Sequence, residues 1–212
     1  SDAQHRFLDE MMPKVGVAYR SEPVDLNAVF GRQAPHIVEI GFGMGQSTAV
    51  IAQARPGDDF LGIEVHAPGV GSLCKLIDEG GITNLRIVQH DAVEVLRDMI
   101  PEGSLAGVHI YFPDPWPKKR HAKRRLTYRG FLDRYARLLR ENGQIYFKSD
   151  NAGLFDFTLD EFRECGWPLS EVTYDLHNSP ILNEAMTEYE AKFSAKGQPI
   201  FHCVATRPKR SE

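Results

Sequence analysis

The chain has 212 residues, with 42% hydrophobic residues, 25% charged residues and a formal net charge of −4, which is the composition of one ordinary globular domain. It has no apolar stretch long enough to cross a membrane and no signal-peptide pattern at its N-terminus, so the sequence predicts a cytoplasmic protein with no membrane partner. Three widely separated cysteines and eight scattered histidines form no metal-binding spacing, which argues against a disulfide framework and against a metal cofactor.

Strand and helix patterns alternate along most of the chain. Residues 1–35 are interrupted by prolines and are predicted to be a loop-like N-terminal extension, while residues 36–212 are predicted to form a single domain. The predicted strands span residues 36–40, 59–65, 85–90, 105–112 and 144–148, with late strands near 171–176 and 200–206. The predicted helices span residues 46–55, 69–79, 92–100, 127–140 and 153–164, and Asn142-Gly143 is expected to end the fourth of them. This alternation predicts an α/β fold, with a mostly parallel sheet and helices on both faces.

A carboxylate stands at or just after the end of each of the first five predicted strands. The five residues are Glu39, Glu64, Asp91, Asp114 and Asp150. In parallel sheets of this kind, ligands bind at the carboxyl ends of the strands, near the point where the strand order reverses. The sequence therefore predicts a binding site lined by acids at this edge of the sheet.

A glycine-rich loop joins the first predicted strand to the first predicted helix. Gly41, Gly43 and Gly45 follow a G-x-G-x-G spacing, which differs from the G-x-G-x-x-G spacing of dinucleotide-binding loops. Glu64 lies at the end of the second strand, where an acidic side chain can accept both hydroxyls of a ribose, and Asp91 lies where an adenine edge is expected. A tight turn with incidental surface acids is the alternative. The acids favour S-adenosylmethionine over NAD, because S-adenosylmethionine carries a cationic sulfonium and an ammonium group but no phosphate.

Residues 112–125 read F-P-D-P-W-P-K-K-R-H-A-K-R-R, with six Lys or Arg in the last eight positions. Pro113 and Pro115 restrict the backbone on both sides of Asp114 and are expected to hold its carboxylate rigidly at the sheet edge. Trp116 can stack on a flipped base or can simply pack against the protein. The basic run is predicted to bind RNA phosphates, although a solvated charged face is the alternative. Its predicted RNA-binding residues are Lys119, Arg120, His121, Lys123, Arg124 and Arg125.

Four segments together resemble one family, the tRNA (guanine-N7-)-methyltransferases, within the class I methyltransferases. They are V-E-I-G-F-G-M-G, F-L-G-I-E-V-H, H-D-A and the segment 112–125, and T-E-Y-E at 187–190 is similar to the family's Thr-x-aromatic-Glu signature. The resemblance extends from about residue 30 to residue 207. It implies a Rossmann-like, seven-stranded fold, S-adenosylmethionine as cofactor, and methylation of the variable-loop guanine of tRNA. One departure is Pro117, where the family pattern also has His.

The resemblance also implies roles for particular residues. The cofactor-binding residues that it implies are Glu39, Gly41, Gly43, Glu64, Asp91 and Asp114, and the catalytic residue is Asp114. The substrate-binding residues that it implies are Lys118, Asp150, Thr187, Glu188, Tyr189 and Glu190. A monomer is expected, with a homodimer left open, and the identity of the methylated tRNAs stays open.

Guanine N7 has a lone pair and no proton, so attack on a sulfonium methyl group needs no general base. We therefore expect Asp114 to orient the guanine and to face the migrating positive charge. An adenine amino-methyltransferase is an alternative, but its motif has two consecutive prolines, which Asp114-Pro-Trp lacks. A catalytically silent RNA-binding module on the same fold is another, and the retained cofactor carboxylates argue against it.

Overall fold

The computed structural model describes residues 2–181, 190 and 195–210. Within these ranges, the helices are α1 (Asp2–Val15), α2 (Leu26–Phe30), α3 (Gln46–Ala54), α4 (Ala67–Gly80), α5 (Ala92–Asp98), α6 (Arg129–Leu138) and α7 (Ala152–Glu164). The strands are β1 (His36–Ile40), β2 (Asp59–Ile63), β3 (Leu85–Val88), β4 (Leu105–Tyr111), β5 (Leu139–Ser149), β6 (Leu169–Thr173) and β7 (Phe201–Thr206). Two short 3₁₀ helices span Lys119–Arg124 and Leu176–Asn178.

The seven strands of the described chain form one sheet in the order β3-β2-β1-β4-β5-β7-β6. Strands β1 to β5 are parallel to one another, and β7 is antiparallel to both β5 and β6. The predicted mostly parallel, seven-stranded sheet is confirmed. The strand order reverses between β1 and β4, so a crevice is expected at the carboxyl ends of these two strands.

Helices cover both faces of the sheet, because neighbouring strand residues point to opposite sides. Ile37 of β1 joins a core cluster with Leu73 of α4, and the adjacent Val38 joins the other cluster with Tyr135 of α6 and Phe155 of α7. Helices α1, α3 and α4 therefore lie on one face, and α5, α6 and α7 lie on the other.

The prediction that residues 1–35 are loop-like is wrong, since α1 and α2 lie within them. Helix α1 contains Pro13 near its end and packs against α4 through Met11 and Val15, which are both buried. The spacing of Phe7, Met11 and Val15 is the signal that indicates a helix here, because residues four apart share one helix face. The division into an extension and a domain stays a prediction.

The expected role of Asn142-Gly143 is also wrong. Helix α6 ends at Leu138, and Asn142 and Gly143 lie within the irregular first part of β5, where Asn142 has a φ of 63°. Regular pairing of β5 with β4 begins at Gln144, where the predicted strand begins. The dipeptide therefore makes a turn, as its chemistry favours, but within the strand and not at the end of the helix.

No helix within the described ranges is long and apolar enough to cross a membrane. In the same part of the chain, no group of His, Cys, Asp and Glu side chains is arranged to hold a metal ion.

Candidate active site

The parallel strands bring the predicted acids to one edge of the sheet. Glu39 is the fourth residue of β1, Glu64 directly follows β2, and Asp150 directly follows β5. Asp91 precedes α5, and Asp114 lies three residues after β4. These positions lie around the point where the strand order reverses, because the glycine loop follows β1 and residues 112–116, which we call the Asp114 segment, follow the adjacent strand β4.

Glycine is required in the loop after β1 because its backbone is left-handed at three positions. Gly41, Gly43 and Gly45 have φ values of 69°, 61° and 81°. A Cβ added at Gly41 or Gly43 would meet no atom within 4 Å, whereas one at Gly45 would lie 2.8 Å from Leu73. The first two glycines therefore border open space that a ligand can fill, and the third permits close packing on α4.

Helix α4 holds this loop through two contacts that sequence reasoning missed. A Cβ added at Gly69 would lie only 2.2 Å from the carbonyl oxygen of Gly43, so the two backbones touch. The Ser72 hydroxyl donates a hydrogen bond of 2.8 Å to the carbonyl oxygen of Met44. The sequence carries one weak signal for this contact, a glycine in the first turn of a helix, where glycine is otherwise unfavourable.

Glu64 ties the glycine loop to the end of β2. Its Oε1 accepts a hydrogen bond of 2.9 Å from the Gly43 amide, and its Oε2 accepts bonds from the Val65 and His66 amides at 2.9 and 3.2 Å. A carboxylate offers about four lone-pair positions, so Glu64 retains acceptor capacity for a ligand hydroxyl.

Glu39 is buried beneath the loop. Both of its carboxylate oxygens lie 3.0 Å from the Thr48 hydroxyl of α3. The pKa of Glu39 is raised to about 7, mainly by burial and to a smaller extent by Glu64, while the Thr48 hydrogen bond and the Lys148 ammonium act in the opposite direction. Ionisation of this carboxylate is therefore sensitive to whatever cation binds beside it.

Asp91 is exposed at the N-terminus of α5, where its side chain accepts a hydrogen bond of 2.7 Å from the Val93 amide. The preceding His90 stacks on Tyr19 with 3.8 Å between the ring centroids. Three exposed apolar side chains follow the strand ends in the same region: Met44, Val65 and Val93. Exposed apolar side chains thus follow the same strand ends as the acids, and such side chains can pack against a nucleobase.

The Asp114 segment has an unusual backbone. Asp114 is exposed, and both Phe112 and Trp116 are left-handed, with φ values of 52° and 44°. Bulky residues rarely adopt this conformation, and it persists only where the surroundings impose it. Pro113 and Pro115 restrict the intervening backbone as the sequence predicts. An exposed acid between two strained residues at a sheet edge is typical of a functional site.

The basic run forms the 3₁₀ helix and the residues beside it. Trp116 is half-buried beside it, with the His121 ring edge-on at 5.6 Å and the Arg124 guanidinium 5.0 Å above its ring. The exposed basic residues are Lys118, Lys119, Arg120, Lys123 and Arg124. Arg125 is half-buried and donates hydrogen bonds to backbone carbonyls of the Asp114 segment. The run thus consists of several exposed cations and one that points inward.

The residues predicted to bind substrate are only partly described. Asp150 is half-buried beside the crevice, and Glu190 is buried, with Lys148 at 2.8 Å and His177 at 3.5 Å from its carboxylate oxygens. The predicted residues that lie outside the described ranges are Thr187, Glu188 and Tyr189. The buried Lys148–Glu190 pair connects the end of β5 to the segment that carries the predicted signature.

The sequence is similar to those of known methyltransferases. A family model described as "Putative methyltransferase" matches residues 33–203. The tRNA (guanine-N(7)-)-methyltransferase of Aromatoleum aromaticum is 63% identical over 207 residues, which cover 98% of this chain and 79% of that protein. The enzyme of the same name from Chromobacterium violaceum is 58% identical over 150 residues, which cover 71% of this chain and 66% of that protein.

Solved structures show the same fold at low identity. The 16S rRNA methyltransferase KamB has a TM-score of 0.66 at 12% identity, over 92% of this chain and 99% of that chain. A structure described as an antibiotic-related methyltransferase has a TM-score of 0.60 at 17% identity, over 88% of this chain and 96% of that chain.

Proposed function

Because the chain belongs to the tRNA (guanine-N7-)-methyltransferase family, we propose that it transfers a methyl group from S-adenosylmethionine to N7 of a guanine in tRNA. The observation that carries this proposal is the placement of Asp114. Asp114 follows β4, the strand next to the one that leads into the acid-lined glycine loop, and an exposed basic helix begins five residues later. The choice of the variable-loop guanine, a cytoplasmic location and a monomeric state remain predictions.

The residues around the crevice fit S-adenosylmethionine. Open space borders Gly41 and Gly43, and the neighbouring acids suit a ligand that carries a sulfonium and an ammonium but no phosphate. We assign the ribose hydroxyls to Glu64 and the adenine edge to Asp91, beside the exposed apolar side chains of the same region. We assign the ammonium group to Glu39, which is the buried acid whose ionised state most needs a cation.

The main requirement of the reaction is that the protein align the guanine with the methyl group. S-adenosylmethionine supplies an electrophilic methyl group, and guanine N7 has a lone pair with no proton to remove. Asp114 accepts hydrogen bonds from guanine N1–H and the exocyclic amine, which fixes the base in line with the methyl group. Its negative charge also stabilises the positive charge that develops on the ring. The predicted substrate contacts of Lys118, Asp150 and residues 187–190 stay proposals.

The direct test of this function is incubation of the protein with methyl-labelled S-adenosylmethionine and tRNA, followed by mapping of the modified nucleoside. We expect label in 7-methylguanosine. A tRNA with 7-deazaguanine at the target should bind with ordinary affinity and stay unmethylated, because a C–H group replaces the N7 lone pair. Methylation of this analogue at the rate of guanine would show that N7 is not the nucleophile.

Affinity for S-adenosylmethionine in the absence of tRNA is expected to weaken as the pH falls below about 7. Burial raises the pKa of Glu39 to about 7, so the carboxylate is mostly ionised at pH 8 and mostly protonated at pH 6. A ligand ammonium prefers the ionised form, so the dissociation constant should rise by up to roughly tenfold per pH unit below 7. Isothermal titration calorimetry at several pH values measures this.

The matched control is Glu39→Gln, which keeps the side-chain size and removes the charge. We expect it to bind S-adenosylmethionine weakly and with little dependence on pH. The assignment of the ammonium to Glu39 is wrong if Glu39→Gln retains the pH dependence of the unsubstituted protein.

Replacing four of the exposed basic residues with alanine should flatten the salt dependence of tRNA binding. Each phosphate contact removed should reduce the slope of log K against log salt by roughly 0.7–0.9, because fewer counterions are released. The substituted residues are Lys119, Arg120, Lys123 and Arg124. Fluorescence titration of tRNA at several salt concentrations measures the slope.

Arg137→Ala serves as the control for this measurement. Arg137 is an exposed arginine in the last turn of α6, at the opposite edge of the sheet from the crevice. Its removal should leave the slope unchanged. An unchanged slope in the multiple variant would assign the basic run to an ordinary solvated face.

A further inference from the structure

Arg125 ends the basic run and is oriented unlike its neighbours. Its Nε lies 3.2 Å from the carbonyl oxygens of both Pro115 and Trp116, and its Nη2 donates a bond of 2.9 Å to the Trp116 carbonyl. The centre of its guanidinium group lies 4.5 Å from the ring centroid of Phe157 on α7. The group is therefore enclosed between the Asp114 segment and a helix of the core.

The other Lys and Arg side chains of the run are exposed, so a large anionic partner can reach their charged groups. Arg120 and Lys123 are exposed, and Arg124 is exposed while it covers the Trp116 ring. A phosphate contact through Nε or Nη2 of Arg125 would compete with the bonds that these atoms make to the backbone carbonyls. Arg125 thus differs from the exposed residues of the run in its burial and in its hydrogen bonds, although all of them belong to one run in the sequence.

The segment that Arg125 contacts has a strained backbone. Trp116 is left-handed with a φ of 44°, two residues after Asp114, and such a conformation in a bulky residue persists only where neighbouring groups impose it. Hydrogen bonds from a charged donor are stronger than those from a neutral one. The two carbonyls that Arg125 binds immediately follow Asp114, so its contacts fix the path of the chain on that side.

We propose that Arg125 is a positioning residue, which holds the Asp114–Trp116 backbone in the conformation needed for methyl transfer and does not bind an RNA phosphate. The effect that this inference predicts on the rate of methyl transfer rests on the proposed function. Lysine should be a poor substitute, because an ammonium group lacks the planar fork that bonds two carbonyls and stacks on an aromatic ring at once.

The test compares Arg125→Lys, which keeps the charge, with Arg120→Ala, which removes an exposed charge from the same run. We expect Arg125→Lys to lower the single-turnover rate roughly 10- to 100-fold at saturating tRNA, the usual effect of a displaced reacting group. Its salt slope for tRNA binding should equal that of the unsubstituted protein. Arg120→Ala should instead flatten the salt slope by roughly 0.7–0.9.

A spectroscopic measurement reports on the segment without any methyl transfer. The chain has two tryptophans, Trp116 and the buried Trp167, so a Trp167→Phe background leaves Trp116 as the single indole. In that background, Arg125→Ala and Arg125→Lys should shift Trp116 emission in the free protein. Phe157→Leu, which weakens the support behind the guanidinium and changes no charge, should shift emission and rate in the same direction to a smaller extent.

Two results would overturn the proposal. One is an Arg125→Lys protein with the full single-turnover rate and unshifted Trp116 emission, and the other is an Arg125→Ala protein whose salt slope falls as much as that of Arg120→Ala. If the Arg125 variants do not fold, Phe157→Leu with an unchanged rate and unchanged emission would also overturn it. Failure of the proposed function would look different, since the unsubstituted protein itself would not methylate tRNA while the emission shifts would remain.

Discussion

Replacing Asp114 with alanine is expected to lower the single-turnover rate of methyl transfer roughly 100- to 1,000-fold, the usual effect of removing one preorganised electrostatic contact from a transition state. The physical reason is that one carboxylate both aligns the guanine and faces the charge that develops on it. Affinity for tRNA should change little, because the exposed basic residues carry most of it. Rapid-quench measurement with saturating tRNA and S-adenosylmethionine gives the rate, and filter binding gives the affinity.

Two variants control the Asp114 experiment. Asp114→Asn should also be slow, since its amide accepts through one oxygen and presents N–H donors to the donors of guanine. Asp133→Ala removes an exposed carboxylate of α6, where Asp133 pairs with Arg137, and should leave the rate unchanged. An Asp114→Asn protein as fast as the unsubstituted one would contradict the assigned role.

The rate itself should depend little on pH when S-adenosylmethionine is saturating. No proton leaves N7, so no general base has to be deprotonated, and a nearly flat profile is expected between about pH 6 and 8. The pH dependence that arises from Glu39 belongs to cofactor binding and should appear only below saturation. A bell-shaped profile at saturation would indicate acid–base catalysis in place of simple alignment.

Replacing Gly69 with alanine should weaken S-adenosylmethionine binding roughly 10- to 100-fold, although Gly69 follows no strand end and is not among the predicted cofactor residues. A Cβ at this position would lie 2.2 Å from the carbonyl oxygen of Gly43, which is a backbone atom and cannot rotate away. Either the glycine loop or the start of α4 must move, and both border the proposed cofactor site. Isothermal titration calorimetry measures the loss.

Gly71→Ala is a matched control in the same helix. Its added Cβ would lie 2.7 Å from the backbone oxygen of Gln4 in α1, so it disturbs the packing of α1 and leaves the glycine loop alone. We expect Gly71→Ala to lower the melting temperature and to bind S-adenosylmethionine nearly normally. Equal cofactor affinity in Gly69→Ala and the unsubstituted protein would show that the loop adapts without consequence.

The strands and the acids that follow them were predictable because both signals are local. Short apolar runs bounded by glycine or proline mark β1 to β4, and the carboxyl ends of parallel strands meet at one edge of the sheet. The positive φ values of Gly41 and Gly43 follow from the same kind of reasoning, since a tight strand–helix turn needs glycine. The acids and glycines that follow the strand ends in the candidate site could thus be named from the sequence.

The predictions of secondary structure were wrong at two places where tertiary packing outweighs a local sequence signal. Pro13 indicated a chain break, but α1 continues past it because the buried Met11 and Val15 pack against α4. Asn142-Gly143 indicated the end of a helix, but both residues lie within β5, which pairs with β4 on either side of them. In both cases tertiary packing outweighs the local preference of a turn-forming residue.

By itself, the amino-acid sequence determined the alternating α/β architecture, the acid-lined sheet edge and the density of charge after Asp114, all of which depend on residues close together in the chain. Only the tertiary structure decided the orientation and ionisation of particular groups. Gly69 touches Gly43, Arg125 rests on Phe157, and burial raises the pKa of Glu39 to about 7. Each of these features depends on how closely segments far apart in the chain pack and on how much water their packing excludes. The local sequence does not specify either quantity, so it does not show whether a given side chain is buried or exposed.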